Sequence, residues 1–255
     1  MMRALVRLGL LAFALFAIGC AAPSENEEAA VLDQSVVGGR VTSTAHPAVG
    51  YLAHDDDEVP FCTATLVAPD YVITAAHCVE DVWARSLVFG RGKFDLEKRR
   101  TAIARCRSNP RYRDTDATAI YDFAYCELEE EVEGVTPLGF VTNPSWNATY
   151  VALGYGQTDP DAEWSSGPRK QLSVKRVDPI DEDLEDFEDM IATTSSRGDL
   201  CFGDSGSPLL VVSSNGTARI AGVLHGGFGW ESDCEAGNVS VYAPIAKNLS
   251  FYQAR

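Results

Sequence analysis

Gly203-Asp204-Ser205-Gly206-Ser207-Pro208 follows Cys201-Phe202 and leads straight into the apolar run Leu209 to Val212. A serine hydroxyl is a weak nucleophile until a base takes its proton, and the oxyanion it creates needs donors already in place. Glycines around Ser205 let the chain turn tightly, so that the N–H groups of Gly203 and Ser205 can converge on one point. The plain alternative is a Gly/Ser turn between two strands. The choice depends on whether a base and a carboxylate stand elsewhere in the chain.

The base is suggested by Thr74-Ala75-Ala76-His77-Cys78, which ends a strand-like segment starting at Tyr71. A disulfide at Cys78 would pin the backbone that carries the imidazole, and the small alanines allow close packing beside it. His46 and His54 lie in polar, loop-like surroundings, and His225 follows a strand. The third member must be a buried carboxylate that fixes the imidazole tautomer. Asp122 in Asp122-Phe123-Ala124-Tyr125-Cys126 fits best, because it opens an apolar strand; Asp114 and Asp116 are rivals in a polar loop. The order His, Asp, Ser is that of chymotrypsin and differs from the subtilisin and α/β-hydrolase orders.

Around these motifs short apolar or alternating segments recur between turn residues. They are 48–52, 61–67, 71–75, 101–105 and 123–128, then 150–154, 171–177, 208–212, 219–224 and 239–243. Such a series, rich in Val, Ile and Thr, predicts an all-β fold. Periodicity does not separate a sandwich from paired barrels. A helical tail is expected over 244–253, with Ile245, Leu249 and Tyr252 on one face.

The ends are of another kind. Arg3 and Arg7, the apolar run from Leu8 to Ile18 and the small residues from Gly19 to Ala22 read as an export signal over 1–20. The run is shorter than the roughly 20 apolar residues of a membrane-spanning helix. Ala17-Ile18-Gly19-Cys20 looks like a bacterial lipobox with Cys20 taking the lipid; simple cleavage after Ala21 or Ala22 is the alternative. The chain has seven cysteines, and setting Cys20 aside leaves an even set suited to disulfides in an oxidising compartment. The acidic segment 21–35 reads as a tether or propeptide, and 36–255 as one catalytic unit. A formal charge of −16 repels phosphate backbones and argues against a nucleic-acid partner. Basic polypeptides suit it better, and membrane contact is expected only through Cys20. The histidines and cysteines have no zinc-ligand spacing, and neither a metal nor an organic cofactor is implied.

From Val36 to the C-terminus the sequence resembles the trypsin/chymotrypsin family of serine proteases. Beside the motifs above, Val36-Val37-Gly38-Gly39 is similar to the family's mature start, Phe61-Cys62-Thr63-Ala64-Thr65-Leu66 to the strand before its histidine, and Gly154-Tyr155-Gly156 to the start of its second half. The resemblance implies two six-stranded antiparallel β-barrels and a short C-terminal helix, with His77, Asp122 and Ser205 in the cleft between the barrels. It pairs Cys62 with Cys78 and Cys201 with Cys234, leaving Cys106 for Cys126 as a bridge between neighbouring strands.

The same resemblance puts Asp199, six positions before Ser205, at the base of the primary pocket. A carboxylate there selects Arg or Lys, because a neutral side chain leaves its charge unpaired. The substrate-binding wall departs from the usual pattern: His225-Gly226-Gly227 stands where the family has Ser, an aromatic residue and Gly, Ser240 replaces a pocket glycine, and Leu200 makes the slot less polar. His225 is therefore expected to reach Asp122. Family members mature by cleavage before the Val36-like residue, whose new ammonium pairs with the aspartate before the nucleophile, here Asp204. Ser35 is not basic, so an activating protease other than the chain itself is expected. Sequons occur at Asn147, Asn215, Asn238 and Asn248; in a bacterial protein they stay unmodified. The function expected is a serine endopeptidase acting after Arg or Lys. A catalytically silent, protease-like binding protein is the alternative, and an esterase is disfavoured by the lack of a Gly-X-Ser-X-Gly elbow.

Overall fold

Segments rich in Val, Ile, Thr and Tyr, cut short by turns, cannot each bury both faces alone, and here they close into two rings. The computed structural model describes residues 36–42, 45–54, 59–80, 87–90, 100–159, 168–182, 184–228 and 234–255. The expected signal segment with Cys20, the tether to Ser35 and the acidic run 55–58 lie outside the described residues.

A two-residue strand β1 (Arg40–Val41) precedes the first ring, built from β2 (Val49–His54), β3 (Cys62–Ala68), β4 (Tyr71–Thr74), β5 (Leu87–Gly90), β6 (Arg100–Ser108) and β7 (Ala124–Leu128). These six run antiparallel in the order β2-β3-β4-β7-β6-β5, and β5 returns to β2 through Leu52 opposite Phe89. A short helix α1 (His77–Glu80) follows β4. After β8 (Gly139–Phe140) the second ring takes β9 (Thr149–Gly154), β10 (Lys170–Val177), β11 (Ile191–Thr194), β12 (Pro208–Val212), β13 (Ala218–Phe228) and β14 (Val239–Pro244). Its order is β9-β10-β11-β14-β13-β12, closed by Leu209 of β12 opposite Ala152 of β9. β1 on β10 and β8 on β13 are appendages outside this ring. The fold is thus all-β, two closed six-stranded antiparallel barrels, with the tail helix α2 (Ile245–Gln253).

One continuous apolar cluster joins the barrels: Leu52, Leu66, Ile73 and Phe89 of the first, Leu153, Leu210, Ile220 and Val223 of the second, and Ile245 and Tyr252 of the helix. Each such fully buried side chain contributes about 1.5–3 kcal/mol, so the seam between the rings is a core in its own right. The face of α2 carries the expected Ile245, Leu249 and Tyr252 against the core, and one polar residue more. Asn248 is wholly buried, donating to the carbonyls of Ile120 and Pro244 and accepting from Asn109 Nδ2 at 2.8 Å. That clasp ties the helix to the 3-10 turn Asp116–Tyr121, which delivers Asp122, and it closes the Asn248 sequon to any glycan in the folded chain.

Three disulfides lock the rings, in the pairings the resemblance implies: Cys62–Cys78, Cys106–Cys126 and Cys201–Cys234. Cys106 and Cys126 sit directly opposite each other on β6 and β7. Three bridges fit an extracellular protein.

Candidate active site

His77 begins α1, two alanines past the end of β4, and Cys78 ties it to the first residue of β3. Its backbone N–H donates to Asp122 Oδ1 at 3.0 Å, and its ring Nδ1 stands 2.6 Å from Asp122 Oδ2. Asp122 does not open a strand as expected: it caps the 3-10 turn, two residues before β7. There it is wholly buried, whereas Asp114 and Asp116 are exposed.

A second imidazole meets the same oxygen. His225 Nδ1 lies 2.6 Å from Asp122 Oδ2, and the two rings stand edge to face at 6.0 Å. The cause is local. β13 runs past Leu224, where the sequence pattern ends it, to Phe228, and a bulge falls between Leu224 and Gly226. Leu224 pairs with Tyr242 and Gly226 with Val241, so His225 is the extra residue that the bulge turns out of the ladder. Burial pushes the Asp122 carboxyl up, but the hydrogen bonds from His225 and His77 outweigh it and pull the carboxyl down to about 2. Burial lowers the His77 ring, and the hydrogen bond and charge of Asp122 raise it above its ordinary value. A carboxylate accepts only, so both imidazoles carry the proton on Nδ1, and His77 Nε2 is left as an acceptor.

The Ser205 turn is strapped between the barrels. Thr63 N–H donates to the Ser205 carbonyl at 2.8 Å, Thr63 Oγ1 to the Gly203 carbonyl at 3.1 Å, and Gly206 N–H to the Leu224 carbonyl at 2.9 Å. Gly203 and Gly206 adopt φ of 91° and 81°, which side chains rarely accept. A Cβ on Gly206 would stand 2.2 Å from Thr74 Oγ1 and 3.0 Å from Ala75 N, so the serine loop lies against the strand end leading into His77. Among the described residues no hydrogen bond joins Ser205 Oγ to the His77 ring, and neither the Gly203 nor the Ser205 N–H is engaged by an acceptor. Thr63 was not singled out from sequence: it lies inside a strand motif, and only the fold shows that its side chain holds the opposite barrel.

Asp199 is buried behind this turn. It accepts from Leu200 N–H at 2.8 Å and from Ser240 Oγ at 3.3 Å, and the Asn238 side chain is a further donor. Burial nevertheless raises its carboxyl above the ordinary range. Ser240 pairs with Gly227 across the β13–β14 ladder, and Cys201–Cys234 spans the same end. Among the described residues a Cβ on Gly226 would meet nothing within 4 Å. Phe202, exposed at 68%, stands at the rim beside Gly203.

Val36 is wholly buried among Leu172, Leu200 and Leu209. Val37 bridges to Asp199, whose N–H donates to the Val37 carbonyl at 2.9 Å. Asp204 is also wholly buried, accepting from Gly156 N–H at 2.8 Å and Cys201 N–H at 2.9 Å. A Cβ on Gly156 would stand 2.6 Å from that carboxylate, so glycine is needed for the approach. Burial drives Asp204 up to about 7 against these donors.

The Trypsin family model matches residues 36–251. Trypsin epsilon of Drosophila erecta is 29% identical over 231 residues, 84% of this chain and 85% of that protein. Coagulation factor XII of Bos taurus is 29% identical over 248 residues, 85% of this chain, which spans only 39% of that protein's length. Serine protease 28 of Mus musculus is 25% identical over 221 residues, 76% of this chain and 77% of that protein.

Proposed function

The chain belongs to the Trypsin family, and on that premise we propose that it is a serine endopeptidase, cleaving after Arg or Lys through an acyl-enzyme. One observation carries the reading. A wholly buried, ionised Asp122 holds the His77 ring at 2.6 Å and its backbone at 3.0 Å, beside a serine turn whose two N–H groups meet no acceptor among the described residues.

In this reading Ser205 Oγ attacks the scissile carbonyl while its proton passes to His77 Nε2. Asp122 orients the ring and stabilises the imidazolium. The Gly203 and Ser205 N–H groups receive the oxyanion. The imidazolium then protonates the leaving amine, and water repeats the sequence in reverse roles to free the acid. Asp199 supplies the counter-charge for a basic side chain, and the Asn238 and Ser240 donors keep it oriented.

Activation is read as cleavage before Val36 by another protease. In the intact chain Val36 carries a peptide nitrogen; after cleavage its ammonium would sit beside Asp204. The three disulfides support an extracellular setting, and the Ala17 to Cys20 motif supports a bacterial lipoprotein anchored through Cys20.

The test compares full-length protein with the same protein cut before Val36. A fluorophosphonate probe is expected to label the cut form and to fail on Ser205→Ala. A positional peptide library is expected to show turnover after Arg and Lys. No labelling of the cut form would favour the silent, protease-like binder, and turnover only after large apolar residues would remove the role given to Asp199.

A further inference from the structure

Among the described residues two groups of side chains bring three metal-ligand atoms within 4.8 Å of one another: Cys62, His77 and Cys78, and His77, Asp122 and His225. In the first the sulfurs are joined in a disulfide and are not available as thiolates. The second is built differently. Two imidazole nitrogens converge on one carboxylate oxygen, each at 2.6 Å, from residues far apart in sequence, so no ligand spacing could announce it.

We propose that His77, Asp122 and His225 form a site for a zinc-class divalent cation, and that its occupation reversibly switches off proton transfer at His77. Two ring nitrogens and one carboxylate oxygen are a donor set that zinc takes, with a fourth position left to water. Ligand bonds of about 2.0–2.1 Å in a tetrahedron put the donor atoms roughly 3.3 Å apart. The two 2.6 Å contacts must therefore open by less than about 1 Å. The carboxylate has a pivot for that movement, because Oδ1 is held separately by the His77 backbone N–H. The His77 and His225 side chains are 28% and 18% exposed, so solvent reaches both rings.

The effect on the neighbouring serine follows from proton bookkeeping. Each neutral imidazole has one N–H, now on Nδ1 facing Asp122. A metal taking the Nδ1 lone pair leaves that proton on Nε2, with none gained or lost. His77 Nε2 then becomes a donor and can no longer accept the Ser205 proton. This switching rests on the protease reading; the binding itself does not.

The test uses full-length Ser205→Ala protein, so that binding is read without hydrolysis, and Co²⁺ and Zn²⁺ salts as probes. Co²⁺ is expected to give a visible d–d absorption at one equivalent, displaced by Zn²⁺. His225→Ser should weaken binding by more than the roughly 10- to 100-fold typical of losing an outer-shell partner, with near-ultraviolet circular dichroism verifying the fold. If His225→Ser is misfolded, His225→Asn takes its place. In the cut, active protein Zn²⁺ should abolish hydrolysis, and a chelator should restore it. Absent cobalt absorption, or equal affinity in the His225 variant, overturns the site. Cobalt binding with no hydrolysis in the metal-free protein keeps the site and sinks the protease reading. Hydrolysis indifferent to bound zinc overturns the switch.

Discussion

Asp122 in the seam beside the first barrel and Asp204 in the loop of the second are equally buried, yet their carboxyls are driven in opposite directions, to about 2 and about 7. Desolvation opposes the charged form in both. The partners decide the outcome. Asp122 receives two imidazole Nδ1 donors and a backbone N–H; Asp204 receives two backbone N–H groups. An imidazole can take up a proton and become a cation beside the carboxylate, which an amide cannot do. Asp122 is thus built to stay charged while a neighbour changes charge. Asp204 is built to wait for a positive charge, which the proposed Val36 ammonium would bring.

The largest effect expected from breaking this contrast is at Asp122. Asp122→Asn keeps the shape but presents an amide whose donors oppose the imidazole N–H, turning His77 to the wrong tautomer. In the Ser-His-Asp template that change lowers kcat about 10⁴-fold, and the same order is expected here with KM little changed. Steady-state kinetics on the cut protein decide it. A loss below about tenfold would mean that the carboxylate is a structural strut and that the two-imidazole arrangement has no part in proton transfer.

Asp204 offers the next largest. Its folded carboxyl lies above its unfolded value near 3.8, so between those pH values the folded chain keeps a proton that the unfolded chain has lost. The intact chain is therefore expected to lose stability as pH rises from about 4 to about 7, by at most about 4 kcal/mol. Asp204→Asn should flatten that slope, and cleavage before Val36 should reduce it by supplying a cation. Thermal unfolding at a series of pH values, on intact, cut and Asp204→Asn protein, measures all three. A slope unchanged in the asparagine variant would place its origin elsewhere.

Sequence reading went far on the frame and less far on these carboxylates. Ten segments with β-branched alternation lie where barrel strands form. The two missed, Leu87–Gly90 and Ile191–Thr194, are four residues each, too short for a period of two to stand out. Gly226 and Gly227 break the β pattern after Leu224, and a bulge exists only relative to its partner strand. His54, read as a loop residue, closes β2 and stacks on Phe61. The serine turn could be read because its glycines are local needs of the backbone. Thr63 and Asn238 could not, since their contacts with Gly203 and Asp199 exist only once β3 and β14 have found their neighbours.

The third buried carboxylate, Asp199, sharpens the comparison with the smallest effect. Like Asp204 it is raised by burial and lacks an imidazole; like Asp122 it has side-chain donors, Ser240 Oγ at 3.3 Å and the Asn238 side chain. If Asp199 is the counter-charge of the proposed Arg/Lys pocket, those donors stand in for the substrate cation when the pocket is empty, and each one weakens the demand for it. Ser240→Ala removes one and keeps the width of the slot. A long hydrogen bond of this kind is worth about 1 kcal/mol, so kcat/KM for Arg over Leu at the cleaved position should rise roughly fivefold. The direction carries the argument. A fall in that ratio would show that the hydroxyl serves the substrate directly, and that Asp199 relies on it no more than Asp204 relies on any side chain.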